Sequence, residues 1–192
     1  MNEAIATIVE KIRRLEFELE TELAKRRVEF AYGAHGRKIQ FEERILMRHR
    51  QLKTRLARYF LDARPLMFLV APLIYALVVP FALLDLLVTL YQRICFPAFG
   101  VPVVQRGIYM VLDREHLAYL NVIEKMNCAY CSYANGVVAY VREVASVTEQ
   151  FWCPIKHARR VIGAHDRYAK FAAFGDAESY RKDLDRLRQE LK

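Results

Sequence analysis

Glycine and proline are scarce in this chain of 192 residues, at 7 and 6, and cysteine is scarcer still at 4. So few turn-formers exclude collagen-like, mucin-like and disordered chains and argue against a turn-rich β sandwich. Four cysteines are too few for a disulfide scaffold. No P-loop, dinucleotide fingerprint or nucleophile elbow occurs, and no Glu-x-x-His pair of a di-iron bundle. Zinc-finger, homeodomain and RNA-sheet signatures are also missing, which sets nucleic acid aside as a partner. What is present is a chain 54% apolar and 27% charged, rich in Leu, Ala, Arg and Glu. That length and composition suit one ordinary domain or two small ones, and an all-α fold.

The net charge of +8 is unevenly spread. Residues 1–64 carry +5, residues 65–99 are neutral with only Asp85 and Arg93, and residues 100–192 carry +3. Most of the excess lies in Arg37–Arg64, with nine bases and three acids, directly before an apolar stretch. A basic flank beside an apolar run points to anionic lipid headgroups.

From Pro65 to Tyr91 the chain reads PLMFLVAPLIYALVVPFALLDLLVTLY, 27 residues with Asp85 as the one charge. Roughly 20 apolar residues cross the ~30 Å hydrocarbon core, so the run is long enough for a membrane helix and too long for a buried core helix. Pro65, Pro72 and Pro80 together with Asp85 favour two short helices turning at Pro80. That is a re-entrant hairpin with both flanks on one side. The alternative is a single span, which puts the base-rich N-terminal flank in the cytoplasm and the C-terminal part outside.

Before the apolar run, Ile5, Ile8, Ile12, Leu15, Leu19 and Leu23 recur at 3, 4, 3, 4 and 4, a helical stripe. Tyr32–Gly36 predicts a turn, and Lys38–Leu61 a second, basic helix, together an antiparallel helical hairpin with a surface for a possible protein partner. After the run, VPVVQRGIYMVLD suggests a short strand or hairpin. Asp113 is placed to cap a helix, Asn135-Gly136 to break it, and helices follow from Val137 and from about Ile155 to Phe171. A charged surface helix occupies residues 176–192. The expected divisions are thus 1–64, 65–99, 100–175 and 176–192.

The richest chemistry lies in Cys128-Ala129-Tyr130-Cys131 and Cys153-Pro154-Ile155-Lys156-His157. Cysteines three apart, and a Cys and His four apart, each present two ligands on one side of a turn. If the helix from Val137 returns the chain, the two halves converge as a Cys3His tetrahedral metal site. Four filled positions point to structural zinc, with an iron–sulfur cluster as the alternative. A redox-active dithiol at Cys128 and Cys131 is a further reading, and plain packing of buried cysteines a fourth. His116 and His165 are reserve ligands. Cys95, at the edge of the apolar run, packs or faces lipid.

The sequence therefore predicts a membrane-anchored accessory or scaffold protein of a bacterial-type inner membrane. Its zinc-held C-terminal helical module is expected on the cytoplasmic side. The alternative is a membrane-bound oxidoreductase component carrying a cluster or dithiol.

Overall fold

The computed structural model describes residues 3–29, 32–35, 38–62 and 64–192. The chain is mostly helical. In order it forms α1 (Glu3–Glu29), a hairpin of β1 (Tyr32–His35) and β2 (Lys38–Phe41), α2 (Glu43–Gln51), α3 (Leu56–Asp62), α4 (Pro65–Ala76), α5 (Val78–Phe99), α6 (Arg106–Tyr109), α7 (Val122–Trp152) and α8 (Ala177–Gln189). Short 3-10 turns occupy Asp113–His116 and Asp166–Lys170. The chain divides into two compact units, one of Met1–Arg64 with Leu112–Ala129, the other of Pro65–Val111 with Tyr130–Lys192.

In the first unit, α1 follows the predicted stripe. The expected turn at Tyr32–Gly36 is instead the start of a two-stranded antiparallel hairpin, pairing Tyr32 with Phe41 through His35 with Lys38. Residues 36 and 37 lie outside the described residues. The expected helix from Lys38 begins only at Glu43 and is interrupted after Gln51. Neither glycine nor proline marks that interruption. Like charges do recur at helical spacing (Arg44 with Arg48, Arg55 with Arg58), which weakens a continuous helix. The ring of His49 meets Phe41 and Tyr119 edge-on at 5.1 and 5.0 Å.

In the second unit, α4 starts on Pro65, whose missing N–H costs nothing at a first helical position. The helix gives way at Leu77, because Pro80 has no N–H to offer the Ala76 carbonyl one turn back. Leu77 keeps right-handed helical angles, φ −64° and ψ −13°. The chain therefore continues rather than turning back, and the expected hairpin at Pro80 is not formed. Pro65–Phe99 is one 35-residue apolar stretch, long and apolar enough to cross a membrane. Gly100 ends it in the left-handed conformation, φ 68°, with Gly100 N–H donating to the Pro97 carbonyl and Val101 N–H to that of Phe96.

One side of α5 packs. Phe96, Val101, Tyr140, Val144, Val147 and Leu191 form the core of this unit, drawn from α5, the following extended segment, α7 and the C-terminal end. The expected strand at 101–112 is an extended stretch and the single turn of α6. It is tied down by Gln92, buried on α5. The Gln92 amide oxygen accepts from Val104 N–H (2.9 Å), while its nitrogen donates to the Val104 carbonyl (3.2 Å) and to the Tyr140 hydroxyl.

The long helix is the main departure from expectation. Asp113 opens only a 3-10 turn, and α7 starts at Val122 with a reciprocal cap: Glu124 N–H donates to Asn121 Oδ1 (3.0 Å) and Asn121 N–H to Glu124 Oε2 (2.8 Å). It then runs unbroken through Asn135-Gly136 to Trp152. Gly136 is a packing notch rather than a break. A Cβ there would lie 2.7 Å from the Tyr109 carbonyl oxygen and 2.9 Å from the Met110 sulfur. Pro154 does end the helix as expected. The predicted helix over Ile155–Phe171 is mostly irregular chain instead, pinned by Lys156 N–H to the Ala172 carbonyl (2.8 Å) and Ala172 N–H to that of Pro154 (3.0 Å). The C-terminal helix is α8, N-capped by Asp176, whose carboxylate accepts from Ser179 N–H at 2.9 Å. Its apolar stripe docks, burying Leu187 and Leu191.

Candidate functional site

The continuity of α7 decides the fate of the expected metal centre. Cys128 and Cys131 sit on successive turns near its start, and Cys153 follows its last residue, with Cys153 N–H still bonded to the Glu149 carbonyl at 2.9 Å. Twenty-one residues of helix lie between Cys131 and Cys153, so the two are roughly 33 Å apart along the axis at 1.5 Å rise per residue step. Zinc needs all its sulfurs and nitrogens within about 2.3 Å of one point. The four predicted ligands therefore do not converge, and among the described residues no group of three or more His, Cys, Asp or Glu is placed to hold a metal. The physical reason is the missing turn at Asn135-Gly136, on which the return of the chain depended. A cluster fails on the same geometry. The dithiol also lacks its activating setting, since Cys128 lies about two turns into the helix, beyond reach of the N-terminal dipole.

Individually, Cys131 and Cys153 are exposed, Cys128 and Cys95 half-buried, and all four are free thiols. His157 is exposed; its backbone N–H donates to the Tyr168 hydroxyl (2.6 Å) and its ring stacks on that of Tyr168. His116 lies 3.9 Å from Glu115. His165 is the better held, with Nε2 2.9 Å from Glu149 Oε2.

Beside the buried Leu187 and Leu191, a set of arginine contacts ties the C-terminal segment to α7. Arg167 donates to Glu143 (2.6 Å), Ser146 (3.2 Å) and Gln150 (3.4 Å), while Gln150 donates to the Leu187 carbonyl (2.7 Å). Arg142 donates to the carbonyls of Gly163 and Ala164, and Arg188 to that of Phe151. A cavity of about 280 Å³ beside them is lined by Val103, Ile108, Tyr109, Glu143 and Arg167, with its carboxylate and guanidinium already paired to each other.

The polar constellation of greatest consequence is one the sequence showed only as a lone charge. Asp85, 7% exposed on α5, accepts two parallel bonds from Arg106: Nε to Oδ1 at 2.8 Å and Nη2 to Oδ2 at 2.6 Å. The Tyr133 hydroxyl of α7 donates to Oδ2 at 3.0 Å. The bond to Asp85 raises the pKa of Arg106, and burial followed by the same bond raises that of Tyr133, so both stay protonated as donors. Further along, Thr89 and Tyr140 hydroxyls lie 3.3 Å apart, and Tyr91 and Thr148 hydroxyls 3.0 Å. Asp85, Thr89 and Gln92 recur at 4 and 3, so they form a polar stripe on an otherwise apolar helix. That spacing was the available signal. A fully bonded bidentate pair fixes one helix against another; no group in it is left free to accept a proton or attack a substrate.

No protein-family model matches this chain, and no curated protein or solved structure matches it either.

Proposed function

We propose that the chain is a membrane-anchored helical scaffold or accessory protein, its helix Pro65–Phe99 lying in one face of the bilayer with both flanks on the same side. The observation that carries this reading is the exposure of that helix. None of its most apolar 18-residue window is buried, whereas a core helix of equal hydropathy in a water-soluble protein is covered. Leu66, Leu69, Leu73 and Val79 are all at least 65% exposed. Each such side chain left in water forgoes about 1.5–3 kcal/mol that lipid supplies. The packed stripe of α5 leaves Leu86, Leu87, Leu90 and Ile94 on the open side, which suits a helix lying against acyl chains.

Connectivity supports the one-sided reading. Residues 112–129 share a compact unit with Met1–Arg64, so chain from both sides of the apolar helix comes together. The intervening residues 100–121 carry Arg106, Asp113, Arg114 and Glu115 and offer only a four-residue helix and a 3-10 turn, which is no crossing element. The basic flank Arg37–Arg64 favours anionic headgroups, hence the cytoplasmic face of an inner membrane. The exposed stripe of α1 fits the accessory role by offering an apolar face to a partner helix. Zinc has no part in this reading.

Two measurements test it. The protein should resist alkaline carbonate extraction and yield to detergent; release by carbonate alone overturns the anchor. Cys153 and a Phe17→Cys thiol in α1, each as the one exposed cysteine, should react with an impermeant maleimide from the same side. Labelling from opposite sides overturns the one-sided insertion.

A further inference from the structure

The first unit contains a cavity of about 410 Å³ lined by Arg50, Lys53, Thr54, Arg55, Leu56, Asn121 and Val122. Three of these side chains are cations, and none of the three pairs with a carboxylate among the described residues. The cavity also meets the start of α7, a 31-residue helix whose first N–H groups carry partial positive charge. The cap bonds of Asn121 and Glu124 satisfy Asn121 Oδ1, Asn121 N–H and Glu124 N–H. They also fix which way the Asn121 amide points, because its oxygen must face Glu124 N–H. Asn121 is 1% exposed, and its Nδ2 is buried with no acceptor. A buried donor without a partner costs about 1–3 kcal/mol, so it calls for an explanation.

We infer that this cavity is a binding site for a phosphate group. Arg50, Lys53 and Arg55 supply the charge, the Thr54 hydroxyl and Asn121 Nδ2 supply neutral donors, and the α7 terminus adds its dipole. Every one of these can donate to an oxyanion. Glu124, the acid in the first turn of α7, is already turned onto the Asn121 N–H. A phosphate is favoured over a carboxylate because several donors approach from two segments of chain, and a phosphate presents three or more acceptor oxygens where a carboxylate presents two. The same chemistry is offered by free phosphate and by a phosphomonoester lipid headgroup.

The test is calorimetric titration of inorganic phosphate into the detergent-solubilised full chain, which does not depend on the membrane reading. Saturable one-site binding is expected. Lys53→Gln and Arg55→Gln, both at exposed positions, should each weaken it about tenfold, the worth of one charge-assisted hydrogen bond. Arg48→Gln, on the same basic stretch but outside the cavity, should leave it unchanged. Absence of saturation below about 10 mM phosphate, or equal losses in all three variants, overturns the site. Repeating the titration in nanodiscs separates the sources. Phosphatidic acid in the disc abolishes the phosphate isotherm if headgroups occupy the cavity, and leaves it intact, relative to phosphatidylcholine alone, if the ligand is a free phosphate.

Discussion

Two long amphipathic helices in this chain meet opposite fates. α1, 27 residues, shows Ile8, Ile12, Leu15 and Leu19 at 50–63% exposure, while α7, 31 residues, hides Val137, Tyr140, Val144 and Val147 at 0–4%. Both stripes have the spacing of a packed helix. Periodicity thus reports which face is apolar but not what covers it. α7 finds cover because its stripe meets a second one on α5, in which Asp85, Thr89, Gln92 and Phe96 recur at 4, 3 and 4. The stripe of α1 meets nothing comparable among the described residues.

The sharpest way to break this comparison is to place one charge on each stripe. Val144→Asp buries an unpaired carboxylate among Phe96, Val101 and Leu191. The penalty of several kcal/mol should prevent the second unit from folding, read as loss of its protease resistance. Leu15→Asp on α1 should change stability by less than about 0.5 kcal/mol. Equal effects would mean that α1 is covered in solution.

Next in size is the Asp85–Arg106 pair. Arg106→Met leaves the Asp85 carboxylate on an apolar helix with only Tyr133 and Thr89 to satisfy it. Because Arg106 is itself 43% exposed, the expected loss is about 2 kcal/mol rather than the full cost of an orphaned buried charge. Adding Asp85→Asn should recover most of it, and a double-mutant cycle in detergent checks the coupling.

Gly136→Ala comes third. Alanine is the better helix former by about 1 kcal/mol, yet its Cβ would meet the Tyr109 carbonyl oxygen at 2.7 Å. A net loss of about 1–2 kcal/mol is expected from overpacking, measured as a lower melting temperature. A gain would show α7 to be loosely packed at this point.

Gly136 also marks where sequence reasoning gave way. The apolar run, the α1 stripe, the end of α7 at Pro154 and the stripe of α8 were legible because each rests on local chemistry. Asn-Gly reads as a break on the same grounds. A longer rhythm argues against a break: Tyr130, Tyr133, Val137, Tyr140, Val144, Val147 and Phe151 keep a 3, 4, 3, 4, 3, 4 spacing straight across it. A turn would have reset that phase. With a break at that point, C-x2-C and C-x3-H fall together as a metal site. Arg106 and Gln92 stayed hidden for a different reason, since their partners lie 21 and 12 residues away and no local pattern announces them.

A smaller effect is expected at the C-terminal end. Lys170 donates to Glu190 at 2.9 Å, and this bond, with Arg186 assisting, lowers the Glu190 pKa against the opposing pull of burial. A depressed carboxyl pKa contributes stability that is complete above the unfolded value and lost as pH falls through the folded one. Wild type and Glu190→Gln should therefore differ in melting temperature near pH 6 and converge once the pH falls below the lowered folded pKa. The difference is that of a partly exposed pair, at most about 1 kcal/mol.

The smallest expected effect is the most informative about α7. If the arginine contacts from Arg167, Arg142 and Arg188 hold the C-terminal segment, the cysteines contribute only their packing. Cys131 and Cys153 are exposed, so replacing both with serine should change stability by less than about 0.5 kcal/mol. Prolonged treatment with a strong chelator should leave helicity and melting unchanged, whereas a structural zinc site would take the fold with it. Arg167→Met should destabilise the same segment by about 2 kcal/mol, because it strips Glu143 of its partner and Gln150 and Ser146 of a donor. Chelator sensitivity together with an indifferent Arg167→Met would require α7 to bend near Gly136 after all, bringing Cys131 and Cys153 within reach of one ion.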